Sequence, residues 1–199
     1  MNFAVFASGN GSNLQMIIDA VKKKRIKGTL KLVFSDNAAA FALTRARKAK
    51  VPVVAHLDPK GFPSREAFDA ACVEFLKKEK IDLVVLAGYM RILSPAFVRA
   101  YRDRILNIHP ALLPAFKGAH AIKDAFEHGV KVTGVTVHLV DEEVDHGMIL
   151  AQVPVEVSPK DTRQSLEARI HKAEHILYPK VIALFTAGKI KTKGPAGAV

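Results

Sequence analysis

The sequence predicts an α/β fold: an open, mostly parallel twisted sheet with helices on both faces, antiparallel strands in the second half and a long C-terminal helix. Three observations carry this. Short apolar runs of strand length alternate with stretches whose apolar residues recur at helical spacing. That alternation is the cadence of strand–helix–strand units, which build parallel sheets covered on both faces. Towards the C-terminus the cadence breaks, because two β runs follow one another across an acidic loop, which makes that end of the sheet mixed.

The elements follow in order. Asn2 to Ser8 is a first buried strand that runs into Gly9-Asn10-Gly11-Ser12-Asn13, after which Leu14, Ile17, Ile18 and Val21 share one helical stripe. Leu30 to Phe34 is a second strand, alanine-rich Ala38 to Ala49 a helix, and Val51 to Val54 a short third strand. Ser64 caps a helix running to about Glu79, and Asp82 to Ala87 is a wholly apolar fourth strand after its first residue. Ser94-Pro95 is a helix start, with serine as N-cap and proline at the first helical position. Ile105 to Ile108 is the fifth strand, and Val132 to Leu139 and Ile149 to Val155 are the last two. A final helix spans about Thr162 to Phe185 with Leu166, Ile170, Leu177, Val181 and Leu184 inward, and Pro179 is expected to kink or restart it. Residues 190–199 read as a loose basic tail.

Composition narrows the class. The 199 residues are 49% hydrophobic and 25% charged, the balance of a globular chain. A chain of this length buries roughly 70% of its unfolded surface, so a core needs neither disulfide nor metal. The single cysteine, Cys72, excludes an intramolecular disulfide and lies on a helical stripe with Phe68, Phe75 and Leu76, as a buried apolar residue would. No apolar run approaches the ~20 residues of a membrane helix. With no export signal and one thiol, the expected compartment is the cytoplasm. The net charge of +11 favours anionic partners, but the basic residues are dispersed and tryptophan is absent, so no nucleic-acid platform is expected.

Four segments carry chemistry. Gly9 to Asn13 joins a strand to a helix and suits a small phosphate held by Ser12, Asn13 and backbone amides. It is neither a dinucleotide fingerprint, since Leu14 stands where the third glycine would fall, nor a Walker loop. Asn107-Ile108-His109-Pro110 ends a strand, where open α/β sheets bind ligands, and period-two alternation puts Asn107 and His109 on one side. An amide donor beside an imidazole suits acyl transfer. Asp141, Glu142, Glu143 and Asp145 crowd four carboxylates into one loop, an arrangement expected to raise some of their pKa values for general acid or base work. His171-Lys172-Ala173-Glu174-His175 matches the His-x-x-Glu-His zinc pattern, but no His, Asp or Glu follows to complete the ligand set, so no metal is expected.

Taken together, Gly11-Ser12-Asn13, Ala87 to Leu93, Asn107-Ile108-His109-Pro110 with Leu112-Leu113-Pro114, and Asp145 resemble the phosphoribosylglycinamide formyltransferases over about residues 1–189. The resemblance implies a Rossmann-like formyltransferase fold in a single domain, 1–189, with a phosphoribosyl-binding half (1–100) and a catalytic and folate-binding half (101–189). It implies a cytoplasmic enzyme of purine biosynthesis, with 10-formyltetrahydrofolate as co-substrate and no metal. The catalytic trio falls on Asn107, His109 and Asp145: the first two would hold the oxyanion and the third would move a proton. The ribonucleotide would lie on Gly11, Ser12 and Asn13 with His171, Lys172, Ala173 and Glu174. Folate would lie along Arg65, Met90, Arg91, Ile92, Leu93 and Asn107, and along the loop of Asp141, Glu142, Glu143, Val144 and Asp145.

Two positions depart from the family pattern. His146 stands where a glycine commonly follows the aspartate and is expected either to lower the Asp145 pKa when cationic or to stiffen the loop when neutral. Ala111 replaces a frequent serine. Methionyl-tRNA formyltransferase and formyltetrahydrofolate deformylase share the core but carry further domains for which this sequence has no evident room. A non-enzymatic phosphate- or nucleic-acid-binding module would account for the glycine loop and the charge, but not for the trio. Small-molecule substrates are the expected partners; monomer and homodimer both stay open.

Overall fold

In a computed structural model that describes residues 1–190, the strands form one seven-stranded sheet. The strands are β1 (Asn2–Phe6), β2 (Thr29–Ser35), β3 (Val53–His56), β4 (Leu83–Leu86), β5 (Ile105–His109), β6 (Val132–Leu139) and β7 (Ile149–Glu156). Six α-helices accompany them: α1 (Ser12–Lys22), α2 (Phe41–Lys48), α3 (Arg65–Lys78), α4 (Pro95–Ala100), α5 (Ala121–His128) and α6 (Arg163–Thr186). The order is β3-β2-β1-β4-β5-β6-β7, parallel through β5 and antiparallel from β5 to β7. Order reverses between β1 and β4, the switch point where such sheets bind ligands.

Alternation along each strand divides the core between two faces. Phe3 and Val5 pack with Leu14, Ile17, Leu166, Tyr178 and Ile182 under α1 and α6. Ala4 and Phe6 pack with Phe68, Cys72, Leu76 and Phe97 under α3 and α4. On β5, Leu106 and Ile108 join the first face and Ile105 the second. Asn107 and His109 therefore follow Ile105 onto the face that the six-residue α4 covers only in part. Cys72 is buried as expected, and that burial pushes its thiol pKa up to about 12, so it is an inert packing group.

Several boundaries move, each for a local reason. The first strand stops at Phe6, and Ala7 and Ser8 donate singly to Phe34 and Gly88 carbonyls. The second helix begins at Phe41 rather than Ala38, because the Asn37 side chain accepts the Ala39 amide and holds a turn there. The third strand is Val53–His56 rather than Val51–Val54: Val51 instead donates to Ala46 O and closes the preceding helix. The sequence reading missed α5, although Ala121, Ile122, Ala125 and Phe126 point inward and Gly129 terminates it in a left-handed conformation. Pro179 does not restart α6, which is continuous over 24 residues. Burial of Leu177, Tyr178, Val181 and Ile182 around the proline holds the helix against one lost backbone bond. Leu184 is exposed rather than inward, and Tyr178, Ile182 and Phe185 complete the buried stripe. The loose tail expected at 190–199 falls, beyond Ile190, outside the described residues.

Candidate active site

Strand register brings the site together. Phe6 pairs with Leu86 and Leu86 with Asn107, so the loops after β1, β4 and β5 leave the sheet side by side. Two strand spacings separate the first from the last, about 10 Å. On the antiparallel side Asn107 pairs with His138 and His109 with Thr136. Tyr178, fully buried on α6, places its hydroxyl 2.8 Å from Leu86 O and 3.0 Å from Leu106 O, which ties the carboxyl ends of β4 and β5 together.

Asn107, His109 and Asp145 converge. Asn107 Nδ2 lies 3.4 Å from Asp145 Oδ1, and His109 Nδ1 lies 3.3 Å from Asp145 Oδ2. The Gly118 amide donates to Asp145 Oδ2 at 2.8 Å, and His109 Nε2 faces Phe116 O at 2.7 Å. His138, absent from the sequence reading, completes the cluster. Its Nδ1 faces Leu139 O at 2.8 Å, so that nitrogen carries the proton and, in the neutral ring, Nε2 accepts. Asn107 Nδ2 donates to that Nε2 at 3.1 Å, and Asp145 Oδ1 stands 3.6 Å away. Asp145 and Phe116 both adopt left-handed backbone, φ 49° and 51°, which non-glycine residues seldom do outside constrained sites.

The expectation that loop carboxylates would be raised in pKa fails at Asp145. Burial works to raise it, but the contact with His138, the hydrogen bond from the Gly118 amide and the fields of His109 and His138 prevail, so its pKa is lowered. The loop explains this by dispersing its acids. Glu142 pairs with Arg99 at 3.1 Å, and Asp141 accepts from His146 Nδ1 at 2.7 Å. His146 thus bonds Asp141 within the loop, which fits the stiffening expected of it and not the alternative, an action on Asp145. Gly147 is the position that cannot change, because a Cβ there would sit 2.0 Å from Leu139 O. Ala111 is fully buried, and Thr136 Oγ1 donates to its carbonyl at 2.7 Å while accepting the Leu113 amide at 3.0 Å.

A cavity of about 340 Å³ opens on this cluster. It is lined by Met90, Arg91, Ile92 and Leu93, by Asn107, His109 and His138, and by the Asp141, Glu142, Glu143, Val144 and Asp145 loop. Met90, Ile92 and Val144 are large apolar side chains left exposed there, as a ligand with an aromatic body would require. Arg91 lies 5.0 Å over the Phe68 ring with a buried Nε that reaches no partner. Arg65 does not line this cavity; it is exposed on α3, paired with Glu66, one turn before Phe68.

The second cluster forms at the start of α1. Gly11 is its N-cap in left-handed conformation, and a Cβ there would meet Ala42 Cβ at 2.8 Å, so only glycine lets α2 approach. Arg45, one of the dispersed basic residues, donates from Nε to Asn10 O at 2.9 Å and fixes the loop. The first turn of α1 carries no acid, which leaves its dipole free for an anion at Ser12 and Asn13. Asn13 Nδ2 donates to Glu174 Oε2 at 3.0 Å, and His171 Nδ1 meets the same oxygen at 2.9 Å. That contact raises the His171 pKa. Asn13 Oδ1 is buried without a partner. Lys172 points to solvent and Ala173 packs on the core, so of the four helix residues only His171 and Glu174 join the cluster. Among the described residues no three His, Cys, Asp or Glu side chains are placed to hold a metal ion.

Residues 1–182 match the formyl transferase family. The chain belongs to that family. Among formyl transferases with curated names, the phosphoribosylglycinamide formyltransferase of Escherichia coli K12 is 47% identical over 191 residues, which cover 96% of this chain and 90% of that protein. The Bacillus subtilis enzyme of the same name is 44% identical over 180 residues, 90% of this chain and 92% of the relative. Among solved structures, glycinamide ribonucleotide transformylase 1 from Symbiobacterium toebii superimposes with a TM-score of 0.94 at 48% identity, covering 98% of this chain and 91% of that one. The formyl transferase fold expected from the sequence, with its parallel sheet, antiparallel end and long last helix, is the fold observed. No helix among the described residues is long and apolar enough to cross a membrane.

Proposed function

We propose that this protein transfers the formyl group of 10-formyltetrahydrofolate to the amine of glycinamide ribonucleotide, giving formylglycinamide ribonucleotide and tetrahydrofolate in purine biosynthesis in the cytoplasm. The observation that carries the reading is the convergence of Asn107, His109 and Asp145 on one cavity, two strands from a glycine-led helix N-terminus. The substrate amine attacks the formyl carbon, and the carbonyl electrons move onto oxygen. Asn107 Nδ2–H and a protonated His109 stabilise that oxyanion. The Asp145 carboxylate takes the proton released by the attacking nitrogen. Collapse of the intermediate breaks the bond to the folate nitrogen, which receives the proton as the oxyanion becomes a formamide.

The surrounding residues support these roles. A lowered pKa keeps Asp145 ionised at neutral pH and available as acceptor. The Gly118 amide and Asn107 Nδ2 donate to its carboxylate and hold it in place. Phe116 O occupies His109 Nε2, so the 110–118 segment must yield that nitrogen when an oxyanion forms. The exposed apolar side chains of Met90, Ile92 and Val144 suit the pterin ring, and Arg91 a carboxylate of the glutamate tail. Ser12, Asn13 and the α1 N-terminus suit the phosphate, with Glu174 at a ribose hydroxyl.

The test is formyl transfer followed by folate absorbance, with glycinamide ribonucleotide, water alone or methionyl-tRNA as acceptor. Turnover is expected only with the ribonucleotide, unchanged by chelator. Folate consumption without acceptor would make the protein a hydrolase, and transfer to methionyl-tRNA would assign it another substrate.

A further inference from the structure

A second and larger concavity lies away from the substrate cavity. α1 and α6 enclose an open groove of about 600 Å³, within the range of roughly 300–1,000 Å³ that small-molecule sites occupy. Its floor is apolar, formed by Met16 and Ala20 of α1 and by Ile176, Ala183 and Leu184 of α6. Ile176 is 67% exposed and Leu184 is exposed beside it, so the apolar floor is open to a ligand. The rim is cationic: Lys23, Arg25, Lys27, Lys180 and Lys189 stand against one carboxylate, Asp19, which is engaged by Gln15. All five cations are exposed, and the ion pairs formed among the described residues use other side chains.

The groove also holds unmet polar groups. His175 lines it with a buried Nε2 that has no partner. Four residues on, Pro179 has no N–H to give the His175 carbonyl, which loses its helical donor. A bare inorganic anion would leave the apolar floor unused, a hydrocarbon would leave the rim unused, and a cation would be repelled. We propose that the α1–α6 groove binds a small organic anion with an apolar body, the body on Ile176 and Leu184 and the charged head among Lys23, Lys180 and their neighbours. This site is independent of the transferase reading.

The test titrates the full-length protein with 8-anilinonaphthalene-1-sulfonate and reads its fluorescence. Saturable binding is expected, displaced by octanoate but by neither octylammonium nor inorganic sulfate. Lys23→Glu with Lys180→Glu is expected to weaken it at least tenfold. Lys48→Glu with Lys78→Glu, the same charge change at exposed positions on α2 and α3, is expected to leave it within twofold. The proposal is overturned by absence of saturable binding, by equal weakening in both double variants, or by displacement with octylammonium. Displacement by tetrahydrofolate would move the dye to the other cavity. Preferential displacement by an acidic amphipathic peptide would make the groove a protein-docking face, and loss of the dye signal as the protein self-associates would make it a contact between copies; each overturns the proposal.

Discussion

Asp145→Asn isolates the charge of one carboxylate while keeping its volume. In the native site Oδ2 accepts the Gly118 amide at 2.8 Å and faces His109 Nδ1 at 3.3 Å, while Oδ1 lies 3.4 Å from Asn107 Nδ2. An asparagine whose oxygen keeps the Gly118 bond turns its own NH₂ towards Asn107, donor against donor. The flipped amide loses Gly118 instead. Neither orientation accepts a proton at neutral pH or pairs with a charged His109. Proton transfer by a positioned group contributes about 10²–10⁴ in rate, or roughly 2.7–5.5 kcal/mol of barrier. Single-turnover formyl transfer should slow by that factor with little change in substrate binding. A second readout is stability against pH. Because the folded-state pKa is lowered, Asp145 stabilises the fold above its ordinary value of 3.8, and that contribution drains as pH falls through the folded value. Urea unfolding of the variant should therefore depend less on pH in the acid range. Turnover within fivefold of the native enzyme would refute the role given to this carboxylate.

Four further outcomes follow from the same geometry. Asn107→Ala removes one oxyanion donor and should cost about 10²–10³ in turnover, or roughly 2.7–4 kcal/mol; a loss below fivefold would take Asn107 out of the mechanism. His146→Gly should leave the pH profile of turnover unchanged, because His146 engages Asp141 at the surface; a displaced profile would restore its coupling to Asp145. Tyr178→Phe strips the shared hydroxyl bond from Leu86 O and Leu106 O without opening a cavity, and urea unfolding should show a loss of about 1–3 kcal/mol. His171→Gln removes a contact whose stabilising effect is fully present below pH 6.5 and lost as pH rises through the raised folded pKa. The stability gap between His171→Gln and the native chain should thus narrow with rising pH, and a gap independent of pH would deny the His171–Glu174 bond its charge.

What the sequence discloses and what it withholds divides along physical lines. Asn107 and His109 are legible because alternation sets their common side and a strand end sets them beside the ligand crevice of such sheets. The fields around Asp145 are not, because they depend on antiparallel register. His138 faces Asn107 only once the return from β5 to β6 fixes which residues pair, and no local pattern encodes that return. One trace existed: a histidine in the buried alternation of Val132–Leu139 is a polar group that demands partners. Crowding along the chain misled in the opposite direction. Four acids in five positions suggest mutual repulsion, but the loop turns Asp141 and Glu142 outward to His146 and Arg99 and leaves only the Asp145 side chain largely covered.

The same register sets the surroundings of His146 and Ala111. The trio is delivered by a strand, by a loop entering left-handed backbone, and by a neighbouring strand that holds both in position. Glycine is needed where backbone presses on backbone, and that place is Gly147 against Leu139 O. At position 146 the chain faces water, so a side chain costs nothing sterically. At position 111 the side chain is fully buried and the backbone carbonyl accepts from Thr136 Oγ1. The aspartate is therefore placed by the Gly118 amide, Asn107 and His109 at its carboxylate and by the close approach of Gly147 to Leu139 in the backbone after it. Substitutions that leave those contacts intact can accumulate in this loop while the distances from Asp145 to Asn107 and His109 stay fixed.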